Sequence, residues 1–404
     1  MIRKFSLYGF LKNLRFFEPF LIIYLLSADL TLLSIGILYS IREVTNYILE
    51  IPSGIFADHY GKKTELSLCF ISYIVSFVFF FIGGPFWIFC IAMFFFGTGE
   101  ALRSGTHKAI IMEYLEEKNW FKHKSFVYGR TRSFSLIGSS IASFVSIIFL
   151  LTLGNLRLLF LICIIPYVLD FLLILSYPKR FNQRHESELT LKGFFKTSLT
   201  QMKSIGKNRE ILKSVLSSSI FDSILKGIKD YIQPILQVII ITSAVTLIKG
   251  FNADDTVAVY LAVIYGFLNI ASSLASRNVY RLKKIGSSEK LMTVFMDMLG
   301  VTFIILALFI RLDALYFIII FYFLIYILKD ARRPVFVDAI GDVMEKKQRA
   351  TVLSIDSQLK ALFMVVFAPL FGFIADTFSI AVLFLILGIF CIIINRFIKL
   401  KPTS

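Results

Sequence analysis

The chain reads Glu50-Ile-Pro-Ser-Gly54-Ile-Phe-Ala-Asp58-His-Tyr-Gly61-Lys62-Lys63 between two long apolar runs. Two glycines, one acid and a basic pair interrupt the hydrophobic pattern within this stretch. Glycine permits a tight turn, and lysines beside a membrane helix favour the cytoplasmic side. The stretch therefore predicts a short cytoplasmic hairpin that joins two membrane helices.

The composition excludes a soluble enzyme. Hydrophobic residues make up 57% of the chain and charged residues only 17%, and 44 residues are phenylalanine. Soluble domains carry roughly 25% charged residues. We therefore expect lipid to cover much of the surface. The cysteines have no metal-ligand spacing and predict packing roles with no bound metal: Cys69, Cys90, Cys163 and Cys391.

The net charge of +16 reports membrane topology. Basic residues concentrate in every second gap between apolar runs and form no single patch, which argues against a nucleic-acid partner. The basic gaps begin with Arg3, Lys4, Lys12 and Arg15 and end with Arg396, Lys399 and Lys401. Because basic loops stay in the cytoplasm, this pattern predicts a plasma-membrane protein of the bacterial inner-membrane type, with both termini cytoplasmic.

Twelve apolar runs approach or exceed the about 20 residues that a helix needs to cross a bilayer. They lie near 6–27, 31–57, 64–83, 85–114, 126–152, 156–177, 213–242, 256–281, 289–310, 313–341, 349–375 and 378–399. The sequence thus predicts an all-α membrane protein with two six-helix halves, residues 1–178 and 213–404. Residues 179–212 form the only long polar stretch and predict a cytoplasmic linker, with one surface helix over 189–205.

The hairpin resembles the signature loop between helices 2 and 3 of major facilitator superfamily transporters. That pattern has a glycine, an acid four residues later, a second glycine and basic residues, which match Gly54, Asp58, Gly61, Lys62 and Lys63. His59 departs from it, because the family usually has arginine there. The resemblance covers essentially the whole chain. It implies two halves around a central cavity, transport by alternating access, and action as a monomer without a cofactor.

In this superfamily the first, fourth, seventh and tenth helices line the cavity, and here they carry most of the charged residues within spans. A charge inside a bilayer needs a reason, so the resemblance makes these side chains candidates for substrate binding. They are Tyr24, Arg103, His107, Lys108, Lys226, Lys229, Gln233, Tyr322, Tyr326, Lys329 and Arg333. The spacing of Glu100, Arg103, Ser104 and His107 predicts one shared helical face. Cations outnumber acids, which favours a small anionic or zwitterionic organic solute.

Energy coupling requires a group that changes its protonation as the cavity alternates between the two sides. The acids on the same helices are the candidates: Glu100, Asp222, Glu18 and Asp230. No GxxxxGK[ST] phosphate-binding loop is present, so we expect an ion gradient, most simply protons, to supply the energy.

Asp58 has a mechanical role by the same resemblance. At the end of the second helix it would meet the positive end of the eleventh, which opens near Arg349, and would latch the two halves on the cytoplasmic side.

Other interpretations stay open at this stage. The membrane charges also fit structural pairs, among them Asp356 with Lys360, and Arg42 with a partner across the cavity. A multidrug or metabolite efflux antiporter is the second functional hypothesis, although the fifth helix lacks the proline-containing antiporter motif. A lipid flippase with the same fold is a third, while no catalytic motif supports an enzyme.

Overall fold

The computed structural model describes residues 1–182, 209–242, 248, 250–278, 286–343, 346–398 and 400. Its first helices are α1 (Ile2–Leu11), α2 (Leu21–Leu26), α3 (Leu32–Tyr60), α4 (Lys62–Ile82), α5 (Phe86–Arg103), α6 (Thr106–Glu117), α7 (Lys124–Leu153) and α8 (Leu158–Leu175). The others are α9 (Arg209–Ile228), α10 (Ile232–Thr242), α11 (Ala253–Asn278), α12 (Ser288–Arg311), α13 (Leu315–Val343), α14 (Lys346–Thr377) and α15 (Ile380–Ile398). The predicted linker helix over 189–205 lies outside the described residues.

Three of the predicted spans are each built from two helices, namely α1 with α2, α5 with α6, and α9 with α10. With these pairs joined, the described helices fill twelve spans, and the predicted all-α fold is confirmed. Among the described residues, eight helical segments are long and apolar enough to cross a bilayer. The first, second, seventh and tenth spans, which are broken or carry several charges, are outside those eight.

Large apolar side chains face outward along these helices. Trp87 is 73% exposed and Phe397 is 79% exposed. Exposed apolar patches of this kind mark a surface that does not face water, and here lipid is the covering that the composition predicts. The outward face and the helix lengths together define a multi-pass membrane protein.

The chain divides into two compact units. The first comprises Met1–Ala28, Ile41–Phe195 and Ala258–Asn269, and the second comprises Asp29–Ser40, Lys196–Val257 and Ile270–Ser404. Each unit therefore includes a short segment from the opposite half of the sequence.

Aromatic side chains fill the core of the first unit. The ring of Phe160 on α8 stacks on Phe17 and on Phe80, with centroids 4.8 Å apart in both pairs. On the same helix, Tyr167 meets Phe77 edge-on at 4.8 Å. Such pairs contribute about 0.5–1.5 kcal/mol each beyond their burial. They fix the first span against α4 and α8.

A close backbone contact joins the start of α3 to the end of α14 within the second unit. A Cβ atom on Gly36 would lie 2.3 Å from the carbonyl oxygen of Ala368, and one on Gly372 would lie 2.2 Å from that of Leu32. At the same end, the Asp376 carboxylate accepts hydrogen bonds from the backbone N–H groups of Leu32 at 3.1 Å and Leu33 at 2.7 Å. Asp376 thereby caps the first turn of α3, where the helix leaves its N–H groups unpaired.

Candidate functional site

A break in the first span brings two cations into the first unit. Helix α1 ends at Leu11, and the span resumes only at the 3-10 turn Glu18–Phe20. Lys12 and Arg15 lie in this break. The pattern of basic residues places both in the cytoplasmic N-terminal gap, and that prediction is wrong, because the helix begins at Ile2 and the break falls inside the span.

Tyrosines hold both of these residues in place. The Arg15 Nε donates a hydrogen bond to the hydroxyl of Tyr167 at 2.9 Å, and that hydroxyl donates to the backbone carbonyl of Lys12 at 2.9 Å. The Arg15 guanidinium also lies 5.1 Å from the ring centre of Phe96 and 5.7 Å from that of Tyr73. Arg15 is thus fixed by a hydroxyl and two aromatic faces.

A second break, in the fourth span, places Arg103 in the same region. Ser104 has an extended backbone and Gly105 has φ +81°, a conformation that favours glycine, so α5 ends at Arg103 and α6 starts at Thr106. The Arg103 Nε donates to the hydroxyl of Tyr73 at 3.3 Å. The charges of Arg103 and Arg15 both act on Lys12. The three residues therefore form one group, the cationic cluster.

The same break corrects the predicted face of the fourth span. Glu100 and Arg103 lie on α5, whereas His107 lies beyond Gly105 on α6, so the four residues do not share one continuous helical face. The His107 ring stacks on Tyr8, with centroids 3.6 Å apart, and its Nε2 lies 3.3 Å from the Tyr177 hydroxyl. His107 is buried inside this aromatic group.

The remaining predicted residues of the first unit occupy separate places. Glu100 lies 4.0 Å from Arg42, which also pairs with Glu43 at 2.9 Å. Arg42 therefore has acidic partners within its own unit, and its predicted partner across the cavity stays a prediction.

Three further predicted residues lie apart from these acids. Tyr24 is buried and donates to the backbone carbonyl of Phe80, so it acts in packing. Lys108 is exposed, 5.5 Å from the ring centre of Tyr128. Glu18 lies in the 3-10 turn of the first span.

The second unit contains a dense ionic network on α9, α13 and α14. Lys360 Nζ lies 2.5 Å from the carboxylate of Asp222 and 2.6 Å from that of Asp356. Arg333 lies 2.5 Å from the same oxygen of Asp356, whose side chain is fully buried. The predicted pair of Asp356 with Lys360 is confirmed. Asp222 and Arg333, predicted for coupling and substrate, belong to this network.

Arg332 lies beside this network and is 1% exposed. Its Nη2 donates to the Ser217 hydroxyl at 2.6 Å, and its guanidinium lies 4.0 Å from the ring centre of Phe221. Cation–π contact of this kind is strongest when both groups are removed from water. Arg332 is therefore a fixed positive charge inside the unit.

Other predicted residues of the second unit pair along the chain or are buried. Lys229 lies 3.2 Å from Asp230, in the break between α9 and α10, and Lys329 lies 3.5 Å from Asp330. Lys226 lies near the end of α9, so the predicted polar stripe of the seventh span is interrupted at this break. Gln233 and Tyr322 are fully buried, and Tyr326 is 4% exposed.

The hairpin after α3 is anchored by residues of its own unit. Gly61 has φ +92°, and a Cβ there would lie 2.2 Å from the Asn182 Oδ1. That same oxygen accepts hydrogen bonds from the backbone N–H and the hydroxyl of Thr64, both at 3.1 Å. Lys62 pairs with Glu113 at 2.6 Å, and Lys63 donates to the carbonyls of Leu175 and Tyr177 at 2.6 and 3.0 Å. The predicted tight basic turn is confirmed in its geometry.

The other residues of the predicted gating motif lie on α3 and at the start of α14. Gly54 lies within α3, and its Cβ position meets no described atom within 4 Å. Asp58 lies two residues before the end of the same helix, half-buried. The side chain of Arg349 lies outside the described residues, so the latch stays a prediction.

Twelve spans, with clusters of charged side chains held inside both units, are typical of membrane transporters. A family model described as Major Facilitator Superfamily matches residues 10–237, and the chain belongs to this family. The uncharacterized MFS-type transporter YxaM of Bacillus subtilis (strain 168) is 23% identical over 381 residues, covering 93% of this chain and 89% of that protein.

Solved transporters share the fold. A variant of the nucleoside transporter NupG has a TM-score of 0.82 at 12% identity, covering 98% of both chains. A POT family transporter in complex with 5-aminolevulinic acid has a TM-score of 0.76 at 13% identity, covering 98% of this chain and 95% of that one. The chain is therefore a multi-pass transporter of the MFS type.

Proposed function

We propose that the chain is a secondary active transporter that works by alternating access, is driven by protons, and moves a small anionic or zwitterionic organic solute. The observation that carries the proposal is the cationic cluster of Lys12, Arg15 and Arg103. Among the described residues, none of these three forms an ion pair with a carboxylate, and tyrosine hydroxyls hold both arginines.

Lys12 and Arg15 of the first span and Arg103 of the fourth repel one another and are costly to keep from water. Buried cations with a structural role are usually paired with acids, as Lys360 and Arg333 are with Asp356 in the second unit. In the first unit tyrosine hydroxyls hold both arginines, and the charge of Glu100 acts on both without a described ion pair. Hydroxyls and aromatic faces orient a guanidinium without cancelling its charge, which leaves the charge for an incoming anion.

The second unit adds groups of both signs, with Lys229 beside Asp230 and Lys329 beside Asp330. Such pairs suit a solute that carries an amine as well as an acid. The POT family neighbour was solved with 5-aminolevulinic acid, which has one carboxylate and one amine. The proposed substrate residues of this unit are Lys226, Lys229, Gln233, Tyr322, Tyr326 and Lys329, whereas Arg333 belongs to the ionic network around Asp356.

The proposed setting follows from the loop charges and the relative. Basic residues in alternate loops support a bacterial inner membrane location with both termini in the cytoplasm. The YxaM protein comes from a bacterium. We propose a monomer in contact with membrane lipid, with the substrate and the coupling proton as its small partners.

Replacing Arg103 with alanine tests the cationic cluster. We expect the Arg103→Ala variant to bind organic anions about 10- to 100-fold more weakly, because a hydrogen bond to a charged group is worth about 1.5–3 kcal/mol. A thermal-shift screen of purified protein against carboxylates, phosphate esters, amino acids and lipophilic cations measures this. Arg180→Ala, which removes a half-exposed arginine paired with Glu117 at 3.2 Å, is the matched control.

The screen also separates the alternatives. Anion stabilisation that Arg103→Ala leaves unchanged would contradict the role of the cluster. Stabilisation by lipophilic cations alone would favour a multidrug efflux antiporter, and a copurifying lipid that small anions do not displace would favour a flippase.

The Asp58 latch has its own test. We expect Asp58→Asn to lower turnover several-fold at normal expression, because contacts of a charge with a helix end are worth about 0.3–2 kcal/mol. Initial rates of solute uptake in proteoliposomes, normalised to protein, measure the effect. Glu116→Gln, at an exposed acid on α6, is the control, and an unchanged rate for Asp58→Asn would remove the latch.

A further inference from the structure

Asp170 is the single acid in α8, between Leu158 and Leu175, and the rest of that helix is apolar apart from Tyr167. Its side chain is fully buried. No group among the described residues donates a hydrogen bond to either carboxylate oxygen. An ionised carboxylate in such a place lacks both water and hydrogen-bond donors, so keeping its charge there is costly.

The other buried acids of the spans are satisfied differently. Asp356 accepts from Arg333, Lys360 and the hydroxyl of Ser219. In the first unit, Glu65 accepts from the hydroxyl of Thr106 at 2.6 Å. Asp170 therefore stands apart from these acids in having no such donor among the described residues.

Tyr167 ties the backbone of Lys12 to the face of α8 that carries Asp170. Its hydroxyl donates to the backbone carbonyl of Lys12, and Tyr167 precedes Asp170 by three residues, so both side chains leave the same face of α8. The charge of Lys12 acts on Asp170. From the other packed elements, Tyr8 on α1, Cys69 on α4 and Tyr177 beyond α8 are the titratable groups that interact with Asp170. Arg103 and Arg132 act in turn on Lys12.

We propose that Asp170 is the proton-binding residue of transport and that Lys12 is its partner when the proton has left. The inference rests on the proposed function, because Lys12 also belongs to the cationic cluster. A proton from solution adds to one carboxylate oxygen of Asp170, and Lys12 is then available to the anion. When that proton returns to solution, the ionised carboxylate pairs with Lys12 and withdraws it from the anion.

This exchange fixes the direction of coupling. The proton and the Lys12 ammonium compete for the Asp170 carboxylate, and the anion and that carboxylate compete for Lys12. Proton and anion therefore bind together and leave together, and the transporter is a proton–anion symporter. The acids predicted from the sequence suit the role less well, because Asp222 lies 2.5 Å from Lys360 and Asp230 lies 3.2 Å from Lys229. Both of those carboxylates are already paired with a lysine.

Infrared spectroscopy of the full-length purified protein tests the proton directly and needs no substrate. We expect the carbonyl-stretch band of a protonated carboxylic acid at neutral pH, and we expect Asp170→Asn to lack it. Asp297→Asn, which alters a membrane acid outside the cationic cluster and outside the ionic network, should retain the band. If Asp170→Asn fails to fold, Lys12→Met serves instead: without its partner cation, Asp170 should keep its proton to a higher pH. A band that Asp170→Asn retains in full, or that Lys12→Met leaves unmoved, overturns the proposal.

Proton uptake on ligand binding tests the coupling. Above the pH at which the infrared band disappears, addition of sulfate to weakly buffered protein should draw in up to about one proton per bound sulfate in the unmodified chain and none in Asp170→Asn. Equal uptake by both proteins overturns the proposal. Sulfate that fails to bind at any pH counts against the anionic substrate instead, and the infrared band alone then decides the role of Asp170.

Discussion

Gly372→Ala should lower the free energy of unfolding by about 1–3 kcal/mol, because the new methyl group has no space and overpacking costs that much. The Cβ would lie 2.2 Å from the Leu32 carbonyl oxygen and 2.6 Å from the Leu33 Cα. Both atoms belong to backbone, so no side chain can rotate away. The start of α3 would have to separate from α14, which would also weaken the Asp376 cap.

The measurement is the melting temperature and denaturant midpoint of purified protein in detergent. Gly129→Ala is the matched control, since it adds the same methyl group at an exposed position of α7 where no described atom lies within 4 Å. There we expect a gain of about 0.5–1 kcal/mol from the better helix former. Equal stability of the two variants would show that the α3–α14 contact is looser than described.

Asp356→Ala should destabilise the second unit by about 3–5 kcal/mol, the cost of removing one partner from a buried ion pair. The loss leaves Lys360 and Arg333 without the carboxylate they share. Asp222 still faces Lys360 and limits the effect on that residue.

The comparison for Asp356→Ala is a surface pair. Glu117→Ala breaks the contact with Arg180. The Glu117 side chain is 35% exposed and that of Arg180 is 41% exposed, so the loss should cost at most about 1 kcal/mol. Unfolding in detergent measures both variants. A loss at Asp356 no larger than at Glu117 would mean that water reaches the network and that burial does not set its strength.

The fold was predictable because lipid imposes length and hydropathy on every span. The hairpin at Gly61 was predictable from local sequence, because a glycine between two apolar runs favours a turn. Asp356 with Lys360 was predictable because residues four apart on a helix are neighbours.

The candidate site was less predictable because helices do not run unbroken through it. Periodicity extended the fourth span past Gly105 and so placed His107 with Arg103, although the chain turns between them. Lys12 and Arg15 were predicted to be loop residues because basic residues are usually found outside the membrane, although both lie within the first apolar run. The sequence prediction did not include Asp170. A single acid in an otherwise apolar run is nevertheless a recognisable signal, because a charge inside a membrane is costly and therefore usually has a function.

The cap that Asp376 provides for α3 has a consequence for how the protein is made. The acceptor lies 344 residues beyond the N–H group of Leu32, so the start of α3 emerges from the ribosome long before its partner exists. At about 5–20 residues per second, the wait lasts roughly 20–70 s. During that time the insertion machinery or a chaperone must shelter the unpaired N–H groups and the surface of α3 at Gly36. Defects at this contact should therefore appear in the cell as degradation during biogenesis, before any transport cycle begins.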